Sequence, residues 1–172
     1  MLPLFAFIVT FVALENNEKS QNMTNWIPAE ENFKEIIEKK ISVNRFMHFL
    51  GFTITKIEAG MVEGELDLQK HHMQQADFLH GGVTATIADI VAGFAAFTLV
   101  KQTQNMVTVD LRVSYLNPGL GNKLFAKGYV IKAGSKLFFS EAEVWMVNND
   151  KKVMIAKSSG TFAVINPEDM KK

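Results

Sequence analysis

Residues 82–100 constrain the fold more than any other stretch of this chain. They include no proline, are rich in Ala, and hold one charged residue, Asp89. That composition favours a helix, and a helix with so little polar surface must be buried on nearly all sides. Val83, Ile87, Ile90, Phe94 and Phe97 form a bulky stripe along it, whereas Gly82, Ala85, Asp89, Gly93 and Ala96 form a stripe of small residues. The small stripe allows other backbone to come close around Asp89.

The segments on either side alternate with the period of a half-buried strand. Two strands joined at Gly60 precede the helix, over 52–59 and 61–68; in the second, Val62, Gly64, Leu66 and Leu68 alternate with Met61, Glu63, Glu65 and Asp67. After the helix, Val107, Val109, Leu111, Val113 and Tyr115 alternate with Thr108, Asp110, Arg112 and Ser114. Three further inner faces follow: Leu124, Ala126, Gly128, Val130; then Phe138, Ser140, Ala142, Val144, Met146; then Met154, Ala156, Ser158, Gly160, Phe162, Val164. Turn residues at 117–119, 133–135 and 148–150 separate them. Ahead of all this, Phe33, Ile36 and Ile37 mark an amphipathic helix over 29–40, and the apolar piece 46–50 stops at Gly51. Two strands, one long helix and four strands on short turns read as an α+β chain with an antiparallel sheet. One apolar helix is covered by such a sheet when the sheet curls round it.

A chain of 172 residues has room for one ordinary domain. With 48% apolar and 21% charged residues it resembles neither a disordered chain nor a polytopic membrane protein. Lys plus Arg balance Asp plus Glu at 18 each, which excludes the basic footprint of a dedicated nucleic-acid binder. The absence of cysteine removes disulfides, thiolate metal sites and Cys nucleophiles. The apolar run 2–14 has no Lys or Arg before it and no clear small-x-small cleavage site after it. It is also short of the roughly 20 residues a spanning helix needs, so no stable membrane anchor is expected. With the globular pattern beginning beyond Met23, residues 1–25 are placed outside the fold and 26–172 are assigned to one domain.

The chemistry concentrates where the polar loop 70–77 runs into the long helix. The first N–H groups of a helix have no internal partner and point out at the positive end of its dipole, so His80-Gly81-Gly82 could receive a developing oxyanion. The competing reading is that the two glycines only permit a tight turn. Asp89 is either a carboxylate that attacks a carbonyl or activates water, or a structural acid satisfied by a backbone N–H or Arg112. Gln74 and Gln75 could present amide donors from the loop. No acidic or Cys partner stands at a spacing that would complete a zinc site with His71, His72 and His80, so no metal is expected. No G-x-S-x-G elbow is present.

Taken together, the string HMQQADFLHGGVTATIAD over 72–89 resembles the signature of hotdog-fold acyl-CoA thioesterases, most of all the phenylacetate-pathway and 4-hydroxybenzoyl-CoA group. The family motif sets Asn or Gln ahead of a His-Gly pair and an acid farther along the helix, and Gln74, His80-Gly81 and Asp89 stand at the matching positions. TVDLRVSYLNP over 108–118 is similar to the family strand that follows the helix, and the likeness extends over roughly 46–165. The resemblance implies a hotdog fold and hydrolysis of an acyl-CoA thioester to free acid and CoA without a cofactor. It implies that Gly81 N–H holds the thioester oxygen, that Gln74 polarises the same carbonyl, and that Asp89 is nucleophile or general base. His80, Gly82, Gln75 and Thr108 would serve substrate binding, His80 by shaping the loop and Thr108 by placing water. It further implies a homo-oligomer, a dimer or a dimer of dimers, with the site at the dimer interface. The expected enzyme is cytoplasmic, and aromatic and medium-chain acyl groups both stay open. The alternative is a non-catalytic acyl-CoA-binding or regulatory hotdog domain, against which Gln74, Gly81 and Asp89 argue in combination.

Overall fold

The computed structural model describes residues 25–148 and 151–170. The leading apolar run and the central part of the expected 148–150 turn lie outside the described residues. Helices α1 (Phe33–Ser42) and α2 (Arg45–Leu50) come first, then strands β1 (Thr53–Glu58) and β2 (Met61–Asp67), the long helix α3 (Gly81–Phe97), and strands β3 (Asn105–Tyr115), β4 (Lys123–Ala133), β5 (Leu137–Asn148) and β6 (Lys151–Ile165). The first helix starts later than its apolar pattern suggested. In α2 the Asn44 side chain accepts from Met47 N–H at 3.0 Å, and Gly51 ends the helix with a left-handed φ of 75°.

The six strands form one antiparallel sheet in the order β1-β2-β4-β5-β6-β3. It wraps α3, whose Ile87, Ala88, Val91, Ala92, Ala95 and Ala96 are completely buried. The inner faces read from the alternation of β4 and β5 are the buried ones: Leu124, Ala126 and Val130, then Phe138, Ser140, Ala142, Val144 and Met146. On the outer face, cross-strand ion pairs such as Lys123–Glu65 at 3.1 Å and Lys157–Glu141 at 2.9 Å keep the sheet wet. Met61, assigned to that wet face, is buried instead.

Two β-bulges correct the simple alternation. Thr108 pairs with Phe162 and Asp110 with Thr161, so Val109 is an extra residue in β3. Since paired residues share a face, the inward set is Met106 and Thr108 before the bulge, and Leu111, Val113 and Tyr115 after it. Val107 and Val109, expected on the same inner face as Tyr115, are exposed. In β6, Ile155 is the extra residue; it is buried, and Met154 joins the outward Trp145.

The helix also ends earlier than expected. Thr98 donates its hydroxyl to Ala95 O at 2.6 Å and accepts Gly60 N–H at 2.7 Å, fixing the C-terminus of α3 against the β1–β2 turn. Among the described residues no helix is long and apolar enough to cross a membrane.

Helix and sheet approach closely at Gly128 of β4, where a Cβ would lie 2.2 Å from the carbonyl carbon and oxygen of Val91. Even Ala overpacks this contact. Gly128→Ala is therefore expected to cost on the order of 1–3 kcal/mol or more, read as a lower urea midpoint with unchanged m-value.

Candidate active site

The loop between β2 and α3 is held as a small closed turn. Gln74 N–H donates to Phe78 O at 2.8 Å, Asp77 N–H to Gln74 O at 3.0 Å, and Met73 and Leu79 form an antiparallel bridge. Asp77 makes the reversal with a φ of 58°, a conformation Asp tolerates better than most residues. Leu79 N–H is anchored to Gly119 O at 3.0 Å, and His80 N–H to His72 O at 2.8 Å. These bonds set Gln74 and the start of α3 side by side.

An α-helix begins with four N–H groups that lack an internal acceptor. Here three are taken. The Nδ1 of His80, the residue that caps α3, accepts from Gly82 N–H at 2.9 Å. His80 N–H is taken by His72 O at 2.8 Å and Val83 N–H by His80 O at 3.0 Å, while the bond from Thr84 N–H to His80 O at 3.2 Å is the first of the helix's own ladder. Gly81 N–H is left without an acceptor among the described residues. The Gly81–Gly82 peptide is held from its other side as well, because Tyr115 donates its hydroxyl to Gly81 O at 2.9 Å. Its ring stands 3.4 Å from the position a Gly81 Cβ would occupy.

Gly81 and Gln74 open onto a cavity of about 410 Å³ bounded by Phe78, Tyr115, Leu116 and Ile155, with no charged residue on its walls. This suits the uncharged part of a substrate. Of the other residues singled out in the sequence, Gln75 is exposed on the turn and does not line the cavity. His80 and Gly82 are engaged with each other, which makes His80 the helix cap. Tyr115 escaped the sequence reading; its position at the end of an apolar alternation was visible, but the partner of its hydroxyl was not.

Asp89 stands apart from the cavity lining. Eight residues beyond Gly81, it lies about 12 Å farther along the helix axis. Thr108, turned inward by the bulge, donates its hydroxyl to Asp89 Oδ1 at 2.8 Å. Burial pushes the Asp89 carboxyl up from its ordinary range, and the Thr108 hydrogen bond partly opposes this. The result is an oriented carboxylate of increased basicity. Among the described residues no three His, Cys, Asp or Glu side chains gather as they would around a metal ion.

Residues 76–152, the loop, α3 and the strands after it, match the profile of the thioesterase superfamily. The match to this superfamily lies in that segment, and the curled sheet on a central helix is the hotdog fold. It is 27% identical over 157 residues to the medium/long-chain acyl-CoA thioesterase YigI of Salmonella typhimurium, a match spanning 83% of this chain and 99% of that one. A thioesterase family protein from Silicibacter pomeroyi superposes with a TM-score of 0.76 at 26% identity, over 78% of this chain and 98% of its own. The PaaI protein of E. coli, from the phenylacetic acid degradation operon, shares the fold at a TM-score of 0.70 and 18% identity, over 78% and 94% of the two chains.

The raised Asp89 carboxyl has a stability consequence. Its folded form holds a proton more tightly than the unfolded form, whose value is near 3.8, so native stability is lost as the pH rises from there through the folded value. Asp89→Asn, which keeps the acceptor for Thr108, is expected to raise the denaturation midpoint at pH 7. That advantage should vanish in titrations taken below pH 3.8, where the wild-type carboxyl is itself neutral.

Proposed function

We propose that this chain hydrolyses acyl-CoA thioesters to free acid and CoA, as a homo-oligomer in which each site draws on two subunits. The observation that carries this reading is the Gly81 N–H, which has no acceptor among the described residues, on a residue that lines an uncharged cavity beside Gln74. A thioester carbonyl seated there would receive Gly81 N–H, with the Gln74 amide as a second donor, as negative charge develops on its oxygen. A thioester needs little more activation than this. Asp89 would act on the carbonyl carbon, either by attacking it or by taking the proton from an attacking water, and its raised basicity favours both routes. In either case the CoA thiolate leaves. The apolar walls accept an aryl or a medium-chain acyl group.

Distance supports a site drawn from two subunits. An oxyanion donor and the attacking group must each lie within about 3–3.5 Å of neighbouring atoms of one carbonyl, which the two turns between Gly81 and Asp89 forbid within a single chain. Asp89 is bonded to Thr108 of β3, an edge strand whose Val107 and Val109 are 49% and 61% exposed. An apolar strand edge is the kind of surface that a second copy covers. Asp89 of one subunit would then serve the thioester held at Gly81 of the other.

Two defective variants test this directly. Asp89→Asn removes the acid, and Gly81→Pro removes the free donor at a helix position that tolerates proline; His80, at φ −65° and ψ 132°, already has the backbone a residue before proline needs. Each alone should hydrolyse a panel of acyl-CoAs at least about 10²-fold more slowly in kcat, followed as thiol release. Unfolded together and refolded as a mixture, they should recover about a quarter of wild-type activity, because half the dimers pair one intact site with one dead one. Full independence of the two defects, with no recovery on mixing, would place both groups in one subunit and refute the shared site.

A further inference from the structure

The loop that carries Gln74 and leads into Gly81 hangs on a side chain outside the chemistry described so far. His72 is only 1% exposed, an unusual state for an imidazole, and both ring nitrogens are satisfied. Gln69 N–H donates to Nδ1 at 2.9 Å, and Nε2 lies 3.0 Å from Leu50 O. A nitrogen that accepts from an amide cannot itself carry hydrogen, so the proton sits on Nε2 and is donated to Leu50 O. The ring is thereby fixed as one neutral tautomer. It joins the C-terminal end of α2 to the start of the loop, while the backbone oxygen of His72 receives His80 N–H at 2.8 Å, the residue that caps α3. Three segments meet on this residue, and the last of them determines where Gly81 N–H points.

We infer that His72 is a positioning residue for the hydrolysis: its neutral ring keeps the Gln74 turn and the start of α3 in register, and protonation, by turning Nδ1 into a donor against Gln69 N–H, releases that hold. The inference rests on the reading of Gln74 and Gly81 as the oxyanion side of the site. Burial lowers the His72 pKa first, the neighbouring His71 ring lowers it further, and the Leu50 hydrogen bond works the other way. His71 lies edge-on at a centroid distance of 4.0 Å. The charged and titratable groups on the surrounding segments, Arg45 and His48 on α2, Asp67 at the end of β2, and Lys70 in the loop, are all exposed. Because the folded value is the lower one, the contribution of His72 to stability is complete above the unfolded value near 6.5 and is lost as the pH falls through the folded value.

The experiment pairs kinetics with a readout that needs no turnover. His72→Phe keeps a ring but no hydrogen bond; His72→Asn keeps an uncharged acceptor close to the place of Nδ1. With an acyl-CoA substrate at pH 8, His72→Phe should lose on the order of 10- to 100-fold in kcat, and His72→Asn should restore part of it. On the acid side, log kcat of the wild type should fall with a slope approaching about two, from Asp89 and His72 together, and that of His72→Asn with a slope of about one. Independently, imidazole ¹⁵N spectra of the wild type should show the Nε2–H tautomer at neutral pH. As that signal titrates, amide exchange across 73–81 should accelerate beyond its intrinsic pH dependence while the sheet stays protected. An imidazole that titrates with no change in the protection of 73–81 would overturn the proposal, as would a His72→Phe enzyme with the wild-type kcat and acid slope. If His72→Phe does not fold, the exchange measurement on the wild type decides. If no acyl-CoA is hydrolysed by the wild type, the hydrolase reading falls while the exchange arm still judges the clamp.

Discussion

The approach of α3 to β4 governs the rest of the molecule. A nearly uncharged helix has no stable place except inside a wrapping sheet, and the sheet reaches it because Gly128 leaves its inner face bare opposite the Val91 carbonyl. Once the helix is locked at that depth, its two ends are set as well. Thr98 holds the C-terminus against Gly60, and the N-terminus emerges at the rim of the sheet, where Tyr115 of β3 and the loop from β2 converge on Gly81. Burying the helix along its length thus puts its positive end at the surface, beside the uncharged cavity. The same interaction that stabilises the core presents the polar group.

Asp89 is the exception inside this apolar helix, and its surroundings explain how it is tolerated. It lies on the small-residue stripe, facing the end of the sheet formed by β3, so it is only partly removed from water. The bulge at Val109 then supplies a hydroxyl where uninterrupted alternation would have left Thr108 pointing outward. One hydrogen bond from Thr108 is enough to orient the carboxylate but not to cancel the cost of burial, which is why its proton affinity stays raised. A fully paired acid would be more stable and less basic. The arrangement trades stability for basicity at one side chain.

Much of this fold was legible in the sequence because period-two alternation and an uncharged helical run are local signals. The inner faces of β4 and β5 follow from them, as does the wrap of sheet on helix. The departures have a common physical cause: each depends on a contact between distant segments. Nothing near Val109 or Ile155 in the sequence marks an inserted residue, since a bulge is defined by the partner strand. The early end of α3 depends on Gly60, far away in the chain. The candidate site divides in the same way. Its string from Gln74 to Asp89 was readable as a resemblance, and the helix start was readable as a source of free donors. Which of those donors remains free was not, because that depends on His80 turning back as a cap and on Tyr115 arriving from β3.

The paired glycines show how this division of donors is built into the covalent chain. At Gly82 an added Cβ would stand 3.0 Å from His80 Nδ1, so a side chain there would press on the cap that occupies its own N–H. At Gly81 a Cβ would meet the Tyr115 ring at 3.4 Å, an ordinary contact, and would stand at the mouth of the cavity. The second glycine therefore protects the cap, whereas the first keeps the approach to the remaining donor clear. A single glycine could not do both, because satisfying one amide and exposing its neighbour make opposite demands on adjacent residues. With the Gly81–Gly82 peptide held by Tyr115 and His80, and the preceding peptide, which carries Gly81 N–H, held at His80 O by Val83 and Thr84 N–H, the turn has little freedom left, and Gly81 N–H is oriented before any ligand arrives. Preorganisation of this kind costs nothing further when charge develops on a bound oxygen, which is why, in the proposed reaction, the turn and not the carboxylate sets the seat of the carbonyl.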